Sequence, residues 1–284
     1  MRTGKDYSVK IVKVVNPEDA SFIDLLRAEH AIGSAIDHPT IRKVYELRML
    51  RHRLRIRGAI LFMEYVDGPS LGDKHFKRPL AEILRIFRDA ATGIQAMHQA
   101  GYVHADVKPT NILVSSDDQV KLIDLGQSAA INEAKPRVQG TIDYMAPEQV
   151  QRGILDERTD IFGLGATLHK VLTGHPIRTD MNQTISMGSQ SLAGKRASDS
   201  LEEVLEEVPI YLVRLIQDCC QENPDSRIPS MTALIQRLDL ARAILTKRRE
   251  SSVPDDDWDD EEDDLFDSVE GELDIPGEGQ ESTD

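Results

Sequence analysis

Asp106, Lys108 and Asn111 lie close together in His104-Ala105-Asp106-Val107-Lys108-Pro109-Thr110-Asn111-Ile112-Leu113, and Asp124-Leu125-Gly126 follows thirteen residues after Asn111. Carboxylate and amide oxygens are the ligands that hard divalent cations prefer. An ammonium among them can balance an anion. Gly140-Thr141 and then Ala146-Pro147-Glu148 come next in order. Any one of these short stretches could be an ordinary polar loop; the ordered set is much harder to explain that way.

Such groups need elements to position them. Tyr7 to Val15 alternates and is rich in β-branched residues, which predicts a strand that Pro17 ends. Ala20 to Ile36 carries Phe22, Leu25, Leu26 and Ile32 at helical spacing, and His38-Pro39 closes that helix. Two short strands are expected near Val44 to Leu50 and Leu54 to Val66, with Asp67-Gly68-Pro69 as a loop. Leu80 to Ala100 predicts a strong amphipathic helix, with Ile83, Ile86, Phe87, Ala90, Ile94 and Met97 on one face and Gly101 at its C-terminal cap. From about Thr159 the pattern is mostly helical. Strands first and helices later predict an α+β chain, a small β-rich lobe followed by a larger helical one.

With these motifs the sequence resembles the eukaryotic-like, Hanks-type Ser/Thr protein kinase family over roughly Tyr7 to Arg249. The resemblance implies a two-lobed kinase-like fold: an N-lobe over 1–66, a C-lobe over 67–250, and an acidic disordered tail over 251–284. It also implies ATP and Mg²⁺ as cofactors and a protein Ser or Thr hydroxyl as acceptor. By that resemblance Asp106 receives the hydroxyl proton, Lys108 faces the γ-phosphate, and Asp124 and Asn111 are the Mg²⁺ ligands. Lys10, in Ser8-Val9-Lys10-Ile11, resembles the lysine that meets the α- and β-phosphates. Glu29, 19 residues on, suits its ion-pair partner. Met63-Glu64-Tyr65-Val66 resembles the gatekeeper and hinge, where the backbone of Glu64 and Val66 meets the adenine edge; Leu113 lies under the ring and Ser8 above it. Asp160 matches the aspartate that anchors the catalytic loop, and Glu148 and Arg227 match a buried ion pair. A surface Lys and Glu, or a plain core leucine, remain the bland readings of Lys10, Glu29 and Leu113.

Several positions depart from the family pattern. Nine residues precede Lys10, with one glycine, Gly4, too few for the glycine-rich hairpin that covers the phosphates. A start upstream of Met1 is the favoured explanation, and residues 1–284 are expected to bind ATP loosely. Ala105 stands where many kinases carry the Arg that pairs with an activation-segment phosphate, a non-RD loop. The segment from Asp124 to Glu148 has only Ser128, Thr141 and Tyr144 as hydroxyls. Activity without phosphorylation of that segment is therefore expected. Leu125 replaces Phe, and Gly33 replaces a bulky apolar residue, which is expected to loosen the helix and the Lys10–Glu29 pair. These departures leave a second class of function open: a pseudokinase acting as a binding or scaffold module.

Composition narrows the remaining classes. The chain has 284 residues, 40% hydrophobic, and a net charge of −15. Of its 49 acidic residues, 16 lie in Asp255–Asp284 with no Lys or Arg, so the rest is nearly neutral, 33 acidic against 34 basic. That balance argues against a nucleic-acid partner. The apolar stretch Gly58 to Val66 is far shorter than a bilayer span, and no apolar h-region follows the N-terminus. Adjacent Cys219 and Cys220 predict reduced, packed thiols, and with the foregoing a cytoplasmic location. Arg48, Arg51, Arg53, Arg55 and Arg57 are crowded together and predict a basic strand face, most simply a solvated one. The sharper expectation is that the tail Asp255 to Asp267, through Trp258, Leu265 and Phe266, binds that face; docking to a partner protein is the alternative.

Overall fold

The computed structural model describes residues 6–53, 55–177 and 208–251. The acidic tail with Trp258, Leu265 and Phe266, together with Gly4 and Leu54, lies outside them. Three antiparallel strands form the first sheet, β1 (Tyr7–Lys13), β2 (Val44–His52) and β3 (Arg55–Glu64), in the spatial order β1-β3-β2. Helix α1 (Ala20–Ala35) crosses one face of it.

Period-two alternation in β1 sends Ser8, Lys10 and Val12 to the half-buried face and Tyr7, Val9 and Ile11 outwards. Lys10 thus shares the face on which α1 packs. In α1 the buried side chains Ile23, Leu26, Glu29 and Ile32 lie three residues apart, with Gly33 buried beside them, so Glu29 belongs to the inward stripe. Phe22, expected on that stripe, is exposed; the helix presents Ile23 instead. Ile23 and Leu26 join Ala59, Leu61 and Met63 of β3 in the small lobe's core.

The larger part is helical. Helix α2 (Leu80–Gln99) buries the predicted face, and Gly101 beyond it takes φ +85, the left-handed turn a glycine cap supplies. Short strands follow: β4 (Tyr102–Val103), β5 (Ile112–Val114), β6 (Val120–Leu122), β7 (Ala129–Ala130), β8 (Glu133–Ala134) and β9 (Ile154–Leu155). Strands β5 and β6 pair as a hairpin, while β4 pairs with β7 and β8 with β9. The remaining helices are α3 (Pro147–Val150), α4 (Glu157–Thr173), α5 (Ile210–Cys219) and α6 (Met231–Ser251). One core joins α2, α4, α5 and α6 through Phe87, Ile94, Phe162, Leu164, Leu215 and Leu238. The molecule is thus α+β, a β-sheet lobe followed by a helical lobe.

The arginine-rich stretch differs from its expectation. Arg53 adopts φ +52 and turns the chain between β2 and β3. The strict alternation is therefore folded into a hairpin tip. Arg51, Arg53, Arg55 and Arg57 are exposed around it, while Arg48 pairs with Glu46 and lies over the Phe62 ring. Cys219 is buried, Cys220 is half-buried, and both are unbridged.

Candidate active site

Lys10 on β1 is one of the points where the two lobes meet. Its Nζ donates to both Glu29 carboxylate oxygens, at 2.9 and 2.8 Å, and to Asp124 Oδ1 at 2.7 Å. Asp124 sits just beyond β6 at φ +64, a left-handed conformation that non-glycine residues adopt at some cost. Burial pushes its carboxyl pKa upwards, but the charge and hydrogen bond of Lys10 outweigh this and hold it below the usual value.

The loop between β4 and β5 carries the second group. Lys108 Nζ donates to Asp106 Oδ2 at 2.7 Å and to Thr141 Oγ1 at 3.0 Å. Asn111 Nδ2 donates to the Asp106 backbone carbonyl at 2.9 Å and to Asp106 Oδ2 at 3.1 Å. The amide's donor is thereby used within the loop, and its oxygen remains as the acceptor a cation requires. Gly140, at φ +129, passes so close that a Cβ there would stand 3.3 Å from Asp106 Oδ1.

Backbone contacts hold this loop from two sides. Asp160 on α4 accepts the N–H groups of His104 and Ala105, each at 2.8 Å, and its Oδ2 lies 2.8 Å from His98 Nε2. Gln149 on α3 donates to the Ala105 carbonyl at 2.8 Å. Ala105 itself has φ +58, so these bonds sustain a strained residue directly before Asp106. Arg227 donates to both Glu148 oxygens at 2.8 Å, tying α3 to the turn before α6. Sequence reasoning missed Gln149, although it follows Ala146-Pro147-Glu148 directly; a neutral side chain beside a loop motif gives no distinct signal.

Of the residues matched to the adenine site, Met63 is fully buried and Ser8, Glu64, Val66 and Leu113 are half-buried. Ser8 stands opposite Met63 in the β1–β3 register. Glu64 makes a 2.9 Å ion pair with Lys121 on β6, which ties the end of β3 to the larger lobe. Leu125 is buried in the main core, where it fills the apolar slot expected of it. Helix α1 runs unbroken through Gly33. A Cβ there would lie 2.5 Å from Val44 Cγ2, so Val44 occupies the space a larger side chain would take.

The site thus gathers Lys10 and Glu29 from the sheet lobe, the loop residues Asp106, Lys108 and Asn111, and Asp124 just beyond β6. The protein kinase domain family matches residues 1–238, and the chain belongs to that family. It is 31% identical over 250 residues to the serine/threonine-protein kinase PknB of Mycobacterium leprae, covering 85% of this chain and 39% of that protein. To PknB of Mycolicibacterium smegmatis it is 30% identical over 266 residues, covering 90% and 40%. To the serine/threonine-protein kinase PknL of Mycobacterium bovis it is 29% identical over 242 residues, covering 82% and 58%. The chain thus spans about two fifths of the length of the PknB kinases it matches. Among the described residues, no helix is long and apolar enough to cross a membrane.

Proposed function

We propose that this chain is a Ser/Thr protein kinase domain that transfers the γ-phosphoryl group of ATP to protein hydroxyls. The observation that carries the reading is the double engagement of Lys10, 2.8 Å from Glu29 and 2.7 Å from Asp124. Those contacts bring three separate elements into the arrangement that phosphoryl transfer requires.

The donor set fits Mg²⁺, since the Asn111 amide oxygen and the Asp124 carboxylate are hard oxygen ligands at one cleft. Bound there, Mg²⁺ neutralises charge on the ATP phosphates. Lys10 holds the α- and β-phosphates, while Lys108 stands where charge develops on the γ-phosphoryl group. Asp106 orients the acceptor hydroxyl and receives its proton as the new O–P bond forms and the bond to the β,γ-bridging oxygen breaks. Glu64 and Val66 offer backbone groups to the adenine edge, with Ser8 and Leu113 above and below the ring and Met63 at its back. The working units are an N-lobe over 1–66 and a C-lobe over 67–250.

Ala105 makes the catalytic loop non-RD, and the Asp160 and Gln149 bonds to its backbone support activity independent of segment phosphorylation. Free Cys219 and Cys220 suit work in the reducing cytoplasm. The basic tip at Arg51 to Arg57 is a docking place for the acidic tail. Deleting residues 251–284 then changes stability or activity at low salt and not at high salt. The assembled Lys10–Glu29–Asp124 contacts favour the enzyme over a scaffold module. The test compares the parent with Asp106→Asn for transfer of labelled γ-phosphate to a Ser/Thr peptide. Transfer by the parent alone supports the reading, and equal incorporation by both overturns it.

A further inference from the structure

Arg42 has no role in the machinery described so far, yet its side chain is only 9% exposed, directly behind the nucleotide site. Its Nη2 lies 3.0 Å from Met63 Sδ and 3.5 Å from Glu29 Oε1. Burying a guanidinium is expensive unless carboxylates surround it. Glu29, Asp124 and Glu64 all act on this one. Glu29 therefore faces two cations from different segments, Lys10 on β1 and Arg42 on the chain leading into β2.

The two cations are not equivalent. Lys10 and Asp124 are 33% and 39% exposed and face the cleft, whereas Arg42 and Glu29 are 9% and 3% exposed behind them. A phosphate or metal entering the cleft competes for Lys10 and Asp124 but does not reach Arg42. The backbone of Arg42 is also fixed, since its N–H donates to the Leu122 carbonyl at 3.0 Å and the Leu122 N–H donates to Thr40. Leu122 belongs to β6, two residues before Asp124. Arg42 thus ties the carboxylate of α1 to the strand that delivers Asp124.

We infer that Arg42 is a positioning residue: it holds Glu29 inward from behind, so that Glu29 stays paired when Lys10 turns to phosphate. Helix α1 then keeps its inward place through the nucleotide cycle without a partner protein to press it there. The inference rests on the proposed function for the identity of the ligand and adds a residue to that site.

The test is a double-mutant cycle of Arg42→Met and Glu29→Gln, read as affinity for a fluorescent Mg·ADP analogue, with the KM for ATP and kcat measured in parallel. Methionine keeps the contact with Met63 and removes the charge. Arg42→Met is expected to weaken nucleotide binding roughly tenfold, the worth of one charge-assisted hydrogen bond. The KM for ATP rises with it, the KM for peptide does not, and Arg42→Lys restores most of the affinity. In the Glu29→Gln background the same substitution has little further effect. Unchanged affinity in Arg42→Met, or effects that multiply independently, overturns the inference. If Arg42→Met does not fold, Arg42→Gln, which removes the charge and keeps a neutral donor, takes its place in the cycle, with the same outcomes. A parent that binds Mg·ADP and shows the coupling but transfers no phosphate sinks the proposed function alone. One that transfers phosphate without the coupling sinks this inference alone, and absence of nucleotide binding sinks both.

Discussion

The ammonium of Lys10 stands 2.7 Å from Asp124 Oδ1, a contact between residues 114 apart in sequence that joins the sheet lobe to the floor of the helical lobe. One cation thus serves two carboxylates, Glu29 on α1 and Asp124 after β6.

Removing that cation separates the two functions of the contact. Lys10→Met is expected to lower phosphoryl transfer by about 10²-fold or more, since loss of positioning alone can cost that much. The Asp124 carboxyl also loses its main charge partner. A carboxyl held below its ordinary pKa contributes stability present above that ordinary value, and lost as pH falls through the folded one. The parent's advantage over Lys10→Met should therefore persist from neutrality to about pH 4, near the free carboxyl's range, and shrink as pH falls below it. Urea midpoints measured from pH 7 to 3 check this; parallel curves would contradict it.

Much of this was legible in the sequence because period and spacing project directly into space. Alternation marked β1 as a strand, and the 19-residue interval matched Glu29 to Lys10, whereas the inward stripe of Ile23, Leu26, Glu29 and Ile32 emerged only in the fold, which leaves the expected Phe22 exposed. The loop residues Asp106, Lys108 and Asn111 were near one another by spacing alone. What stayed hidden depends on distant partners. Gln149 reaches Ala105 across 44 residues, and Arg42 is buried although its local pattern is that of a solvated charge. Likewise, the arginine alternation from Arg53 to Arg57 could not reveal the turn at Arg53, which a backbone conformation decides.

Gly33 offers a steric test of the packing between α1 and the sheet. A Cβ at this position would meet Val44 Cγ2 at 2.5 Å and Leu125 Cδ1 at 3.6 Å. Gly33→Val is expected to destabilise the domain by about 1–3 kcal/mol, the usual cost of overpacking a filled core. Adding Val44→Ala should return part of that loss, because the side chain that fills the gap is then removed. Chemical denaturation of the two single variants and the double gives the coupling; strictly additive losses would show that the two side chains do not share the space.

The Glu148–Arg227 pair tests the scaffold beneath the catalytic loop. The Arg227 side chain is fully buried, Glu148 is 12% exposed, and the guanidinium is also bonded to the carbonyls of Gln221 and Glu222. Arg227→Leu leaves Glu148 without its cation, and a loss of about 3–5 kcal/mol is expected. Glu148→Gln should cost less, since the guanidinium keeps those carbonyl partners. Equal losses from the two variants would argue that the pair contributes through packing alone.

Lys135 makes an opposite prediction, that a substitution relieves a burden. Its ammonium docks on the Gln127 carbonyl in the segment after Asp124. Burial drives its pKa down to about 8 from an ordinary 10.5, with Asp106 and Asp160 pulling it partly back. Between those two values the unfolded chain binds more protons at this site than the folded one. Stability therefore rises with pH across that window, and the cost of burial is fully present below it. Lys135→Met removes the slope, up to about 1.4 kcal/mol per pH unit. It also strands the Gln127 carbonyl, a loss of about 1 kcal/mol that is the same at every pH. The diagnostic is thus the slope and not the offset. Denaturation midpoints at pH 7, 8, 9 and 10 should climb in the parent relative to Lys135→Met, and a constant gap between the two would show that Lys135 enters the folded state without shedding its charge preference.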